Sequence, residues 1–251
     1  MRVAVPVSVL VSAVLLFGCP EQKSAAPIPR AQPKPLEPLE RVTVDAGDPR
    51  EALYEVVPFN PVGPAVPQGA RLVQLNGEKT TVPAGTGPIV LVTAPDDETY
   101  LAQLATILAT IADGKDELWL KHPEANIAFK VKLRDATEFQ AWIDEPVPGK
   151  VRVIQRGDGF ELTTNLGKLP GGDPNGPTVP LRGGKLDLTT LQKGFEKVQA
   201  KFKSAPDVCF VPSFGTELEK IARTMAVNYV SAESAFFPEI CLVYPRPPTK
   251  Q

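Results

Sequence analysis

Cys19, Cys209 and Cys241 are the three cysteines of the 251-residue chain, and His122 is its one histidine. A histidine-rich metal site cannot be assembled from one histidine, and no Cys-x-x-Cys pair occurs. A Ser-His-Asp arrangement would have His122 as its single candidate base. That residue stands in Lys121-His122-Pro123 at the end of an apolar run, where a solvated loop histidine is expected. Ser213-Phe214-Gly215-Thr216 joins an expected strand to an expected helix and could present amides to an anion, but its threonine is accounted for as a helix cap. Asp173-Pro174-Asn175-Gly176 lacks the spacing and terminal glutamate of a calcium loop and reads as a turn. The carboxylates of Asp96-Asp97-Glu98 suit a helix N-terminus. No phosphate-loop pattern occurs. The residue types therefore nominate no catalytic residue, no metal ligand and no cofactor.

Cys19 belongs to different chemistry. Arg2 is followed by the apolar run Val3 to Phe17, a charged n-region and a hydrophobic h-region. The run is shorter than the ~20 apolar residues of a membrane-spanning helix. Leu16-Phe17-Gly18-Cys19, with a small residue directly before a cysteine, resembles the bacterial lipobox. The resemblance implies a signal peptide at 1–18, cleavage before Cys19, and acylation of Cys19, palmitate included. The other reading is an ordinary secretory signal that happens to contain a cysteine. Pro20 follows Cys19 in place of the aspartate of the best-known inner-membrane retention rule, so the expected address is the outer membrane, facing the periplasm. With Cys19 lipidated, Cys209 and Cys241 remain, and in an oxidising periplasm two thiols can pair. Both lie in short β-rich runs, Asp207 to Val211 and Glu239 to Tyr244, separated by helix-like sequence. If those strands are neighbours a bridge is possible, closing a loop of 31 intervening residues and stabilising by roughly 3–4 kcal/mol in the chain-entropy model. Otherwise they are two buried free thiols.

Between the anchor and the folded part lies a tether. Residues 19–67 hold eleven of the 28 prolines, and stretches such as Gln32-Pro33-Lys34-Pro35-Leu36-Glu37-Pro38 favour extended polyproline II. At ~3.1 Å per residue this stretch reaches on the order of 150 Å. It reads as a spacer or as a peptide for a partner's groove. Its last part, with Leu53, Tyr54, Val56, Val57 and Phe59, is more apolar and is expected to dock onto the domain. The 27 Lys and Arg stand against 29 Asp and Glu, a net charge of −2; no basic stripe with interleaved aromatics is present, which argues against nucleic acid.

The remaining residues are long enough for two small α/β subdomains, 68–147 and 148–247. In the first, Arg71 to Leu75 reads as a strand, Asn76-Gly77 as a hairpin turn and Ile89-Val90-Leu91-Val92 as a buried strand. Leu101, Leu104, Leu108 and Ile111 form one helical face. Glu117 to Leu120 and Ile127 to Leu133 follow as strands. Asp135 and Glu138 then form a capping box for a helix carrying Phe139, Trp142 and Ile143. In the second, Val151 to Ile154 and Phe160 to Leu162 flank Gly157-Asp158-Gly159. Leu188, Leu191, Phe195, Val198 and Phe202 step at helical spacing. A strand bears Cys209, Thr216 and Glu219 read as a second capping box before the stripe Leu218, Ile221, Ala222 and Met225, and a last strand bears Cys241. The order ββαβαβ predicts an α/β or α+β fold of small mixed sheets with helices on one face. The two halves also share a pattern. Gly87-Pro88-Ile89-Val90 and Gly176-Pro177-Thr178-Val179 are each followed by a leucine-bearing helix and a strand, which suggests a diverged duplication of one β-α-β unit.

The run Gly159-Phe160-Glu161-Leu162, Pro180 to Leu191, Val208-Cys209-Phe210-Val211-Pro212 and Ile240-Cys241-Leu242-Val243 resembles the periplasmic domain of the ExbD/TolR biopolymer-transport family, over about residues 150–245. The resemblance implies dimerisation, or binding to cell-wall or envelope proteins. Members of that family work in proton-driven motors through a transmembrane helix with an essential aspartate. Residues 1–18 contain no acidic residue, so the motor role does not carry over.

The sequence thus predicts a non-enzymatic, lipid-anchored envelope protein whose periplasmic domain binds a protein or peptidoglycan, with homodimerisation open. The alternative is a small-ligand binder or hydrolase with a site formed from scattered residues. Intact mass of the mature chain is expected to show an N-terminus at Cys19 carrying acyl groups, and Cys19→Ala should move the protein out of the membrane fraction. An N-terminus elsewhere, or no acyl mass, contradicts the lipoprotein assignment.

Overall fold

The computed structural model describes residues 59–247 except 148, 204 and 206. Cys19, the signal segment and the tether up to residue 58, with Leu53, Tyr54, Val56 and Val57, lie outside the described residues.

Among the described residues ten strands form one mixed sheet, in the order β1-β2-β3-β4-β10-β9-β5-β6-β7, with β8 also paired to β6. The strands are β1 (Arg71–Gln74), β2 (Ile89–Val92), β3 (Leu118–Lys121), β4 (Ala128–Arg134), β5 (Val151–Arg156), β6 (Gly159–Thr164), β7 (Gly167–Lys168), β8 (Val179–Pro180), β9 (Asp207–Val211) and β10 (Glu239–Val243). Four α-helices accompany them: α1 (Ala105–Gly114), α2 (Ala136–Asp144), α3 (Leu188–Lys201) and α4 (Leu218–Met225). This is the mixed α/β architecture that the alternating elements predict, with two short extra strands, β7 and β8, between the hairpin and α3. The small sheets expected for residues 68–147 and 148–247 are one sheet, because β4 and β10 pair in parallel across that boundary (Cys241 to Lys132, Leu242 to Leu133, Val243 to Arg134). Among the described residues no helix is long and apolar enough to cross a membrane.

The helix stripes read from the sequence are the buried ones. Leu101 and Leu104 in a 3₁₀ turn and Leu108 and Ile111 in α1 enter a single core cluster with Leu188, Leu191, Phe195 and Val198 of α3 and Leu218, Ile221, Ala222 and Met225 of α4. Burial of these apolar surfaces supplies the main driving force for docking the helices. Phe195 is the hub of the aromatic packing, with ring centroids 6.3 Å from Phe210, 6.3 Å from Phe236 and 5.1 Å from Phe237.

α2 departs from the expectation of helices on one face. Val208, Phe210, Ile240 and Leu242 point into the main core, whereas Cys209 and Cys241, the alternate residues of the same strands, pack with Trp142, Phe139 and Ile143. Because successive strand side chains point to opposite faces, α2 covers the other face of β9 and β10. Its capping box forms: the Asp135 carboxylate accepts from the Glu138 N–H (2.9 Å) and the Glu138 carboxylate from the Asp135 N–H (3.1 Å).

Three further local expectations yield to longer-range structure. Asn76-Gly77 is a tight turn, with Gly77 at φ 50°, but it makes no hairpin, since β1 and β2 are parallel. Its polar groups close on Thr80, whose hydroxyl accepts from the Asn76 N–H (2.9 Å) and donates to the Gly77 carbonyl (2.7 Å). The capping box of Thr216 and Glu219 does not form. α4 starts one residue later, Thr216 donates to Gln155 Oε1 (3.3 Å), and Glu219 is fully buried. The duplication is not mirrored in the sheet: β2 and β3, flanking α1, are direct neighbours, but β8 and β9, flanking α3, pair with β6 and with β5 and β10 respectively.

Cys209 and Cys241 are register partners on β9 and β10, their Cα atoms 4.4 Å apart, and are joined as a disulfide. Both residues are fully buried. Cys209→Ala/Cys241→Ala is expected to lower the unfolding free energy by about 3 kcal/mol, read as a lower urea midpoint. In the unsubstituted protein, thiol labelling with reductant should begin only as the domain unfolds. Full labelling under native conditions would contradict the burial.

Candidate binding groove

The β2-α1-β3 crossover keeps α1 with the first half of the sheet, and α3 and α4 pack with the second. A cavity of about 660 Å³ lies between the end of α1 and the strand ends at Leu118, Leu133 and Glu239. Leu118 of β3, Val131 and Leu133 of β4, Ile240 of β10 and Tyr229 give it apolar walls, and Ala112 at the end of α1 lies on the other side. Tyr229 is held in place by stacking on Phe129, centroids 5.3 Å apart, and burial pushes its hydroxyl pKa upward.

The rim is charged, but its charges answer one another. Asp116 pairs with Arg71 (2.8 Å), Glu117 with Lys130 (2.5 Å) and Glu239 with Lys132 (3.2 Å). Lys130 and the Trp119 indole N–H together hold the Glu117 carboxyl below its usual range. Glu138 is committed to the capping box of α2. A site with apolar walls and internally neutralised rim charges suits an apolar or mixed ligand segment more than a highly charged one. A second cavity, of about 630 Å³, lies along the other side of α1. Several of its polar groups are spent internally: Thr80 on the turn at 76–80, Thr110 on the Thr106 carbonyl and Gln103 on the Tyr100 N–H.

The residues that the sequence singles out for chemistry are not brought together. The loop 213–216 offers carbonyls rather than amides: Phe214 and Thr216 accept from the N–H groups of Ala102 and Leu101, capping the helix that starts at Leu101. The acidic run Asp96 to Glu98 therefore does not cap that helix directly; Asp97 accepts from the Thr99 N–H (2.9 Å). Asp173 makes a turn, accepting from the Asn175 N–H (2.9 Å). Among the described residues no group of three or more His, Cys, Asp or Glu is arranged to hold a metal ion.

His122 is buried, 3% exposed, and not a solvated loop residue. Its Nδ1 accepts from the N–H groups of Glu124 (3.2 Å) and Ala125 (3.1 Å), closing the turn after β3. Burial, then the nearby Arg223, lowers its pKa to about 4. The signal available in the sequence was Pro123 after the histidine, which marks a turn but not its burial.

Two buried charge clusters brace the domain. On the α2 face, the Trp142 indole N–H donates to Asp207 (2.5 Å), while Arg134 and Lys150 lie 5.6 and 5.1 Å from the Trp142 ring centroid. Burial, followed by Glu239, raises the Asp207 pKa against the pull of Trp142, Arg134 and Lys150. In the other cluster, Arg223 joins fully buried Glu219 (2.6 Å) to Glu124 (3.0 Å), and Lys220 also reaches Glu219 (2.5 Å).

Removing Arg223 leaves buried Glu219 with Lys220 as its remaining cation. Arg223→Met is therefore expected to destabilise by about 2 kcal/mol, and Glu219→Gln/Arg223→Met by less, as read from urea midpoints. A double variant worse than the single would contradict that account. No protein-family model, curated protein or solved structure matches the chain.

Proposed function

We propose that the protein is a lipid-anchored component of the bacterial cell envelope, held through Cys19 at the outer membrane and facing the periplasm, whose α/β domain binds an envelope protein or peptidoglycan without catalysing a reaction. The observation that carries this reading is the groove between α1 and the start of β10: its walls are apolar, its rim carboxylates are spent on neighbouring cations, and the one histidine is committed to a turn. The proline-rich tether supports it by giving the groove reach from the membrane. The buried disulfide supports an oxidising compartment. The ExbD/TolR resemblance points the same way, towards envelope partners or a second copy of the chain. The groove's volume also falls in the range of about 300–1,000 Å³ typical of small-ligand pockets, which favours a cell-wall fragment as the second reading.

A photo-crosslinking side chain at Leu133, on the groove wall, is expected to give a discrete adduct in living cells that the same side chain at Glu161, on the hairpin strand β6, does not. Identical adducts from both positions, or none from either, would overturn the reading. Light scattering on the purified protein separates a second copy from a foreign partner.

A further inference from the structure

The turn that holds His122 also holds the point at which the chain enters the domain. The His122 N–H donates to the Ile127 carbonyl (2.9 Å), closing residues 122–127. Ile127 in turn makes an antiparallel bridge with Ala65, and the Ala128 N–H donates to the Pro64 carbonyl (3.0 Å). Gly63 sits so close to Phe129 that a Cβ there would lie 2.8 Å from the ring. Phe129 itself meets the His122 ring edge-on, at 6.5 Å. The first described residues, from Phe59 to Ala65, thus ride on a turn whose geometry depends on one imidazole nitrogen.

We propose that His122 is an acid-operated latch: protonation of its Nδ1 opens the turn 122–127 and releases the Pro64-Ala65 contact, freeing the tether's entry segment from the sheet. Nδ1 can accept from the Glu124 and Ala125 amides only while it lacks a proton. Protonating it turns two hydrogen bonds into two opposed donors, a cost the closed turn cannot absorb. The surroundings add to that cost. Arg223 faces the site from α4, where buried Glu219 is occupied with it and with Lys220, and Lys121 faces it from β3; Lys220 acts on the neighbouring Glu124. Glu124, in the turn itself, is the opposing anion and is already paired with Arg223. Phe129 contributes only its ring, and residues 59–65 carry no titratable group. The opened turn exposes the imidazole to water, where it takes its proton easily.

The sign follows from linkage. The closed form binds the proton less readily than the open form, so the contribution of His122 to closure is fully present above about pH 6.5 and is lost as pH falls towards about 4. With those two limits the opening equilibrium shifts on the order of a hundredfold between pH 7 and pH 4. This inference does not depend on what the groove binds.

The test uses the full mature chain. Amide hydrogen exchange, corrected for intrinsic rates, is followed at Glu124, Ala125 and Ala128 from pH 7 to pH 4, beside the NMR titration of the single imidazole. The comparison is His122→Asn, whose side-chain oxygen can accept from the same amides and does not titrate. The expected result is loss of protection confined to 122–128, tracking the imidazole titration, and absent in His122→Asn. Equal loss in both proteins, loss spread over the whole domain, or unchanged protection would overturn the latch. If His122→Asn does not fold, the unsubstituted protein still decides: an exchange midpoint more than about one pH unit from the imidazole midpoint overturns it.

Discussion

β4 holds the sheet together by pairing differently at its two ends. Ala128 to Val131 run antiparallel to β3, and Lys132 to Arg134 run parallel to β10. Without that handover the β2-α1-β3 crossover and the ββαβαβ second half would be separate sheets, each with a raw edge of unpaired amides and carbonyls. The seam is reinforced where it is shortest. The Tyr244 N–H continues the β10 pairing to the Arg134 carbonyl (3.1 Å). Arg246 then ties the segment after β10 to Asp113, in the last turn of α1, and to Asp135, the cap of α2. Arg134 reaches across β10 to Asp207 on β9 (3.7 Å) and to Glu239 (3.5 Å). The disulfide fastens β9 to β10 directly. A backbone hydrogen bond and the ion pairs of Arg246 and Arg134 therefore resist parting of β4 and β10, and the disulfide holds β10 to β9.

The groove is the geometric consequence of the same handover. α1, between β2 and β3 in the chain, packs against β4, and α3 and α4 share its core cluster with residues of β5, β9 and β10. β4 belongs to neither crossover; α1 packs near it and Phe129 and Val131 are buried, while Val131 and Leu133 line the groove. On the opposite face the chain uses α2, immediately after β4, to shield the disulfide with Trp142. That cover requires burying Asp207, Arg134 and Lys150 around one indole, and the burden is visible in the raised Asp207 pKa. One face of the seam is thus closed by an indole and its charges; on the other, Phe129, Val131, Ile240 and Leu242 are buried in the main core, and the groove lies at the strand ends beside Leu118 and Leu133.

What the sequence made legible was local. The α3 stripe, the β5–β6 hairpin and the Asp135–Glu138 cap each depend on residues within a few positions of one another, and spacing alone specifies them. Asn76-Gly77 carried a genuine turn signal, but whether a turn makes a hairpin depends on where the next strand pairs, and β2 pairs in parallel. Thr216 and Glu219 had capping-box spacing, yet Glu219 is drawn inward by Lys220 and Arg223, and the latter's second partner, Glu124, lies 99 residues away in the chain. His122 looked solvated because its neighbours in sequence are polar or turn-forming; its burial comes from Phe129 and from packing against α4. The groove had no sequence signature, since its walls come from residues between 112 and 240.

Phe129 links these observations. Its ring is stacked on Tyr229 at the groove, meets His122 edge-on in the turn, and lies against Gly63 where the chain enters the domain. Packed interiors have little free volume, so a displaced ring must be accommodated by its neighbours. A shift of the entry segment, Gly63 included, away from Phe129 would open space beside that ring, whose stacking partner Tyr229 forms a wall of the groove. Residues 59–65, the histidine and the groove are therefore mechanically adjacent through one fully buried side chain. Coupling between them needs no longer path, because each touches the same ring.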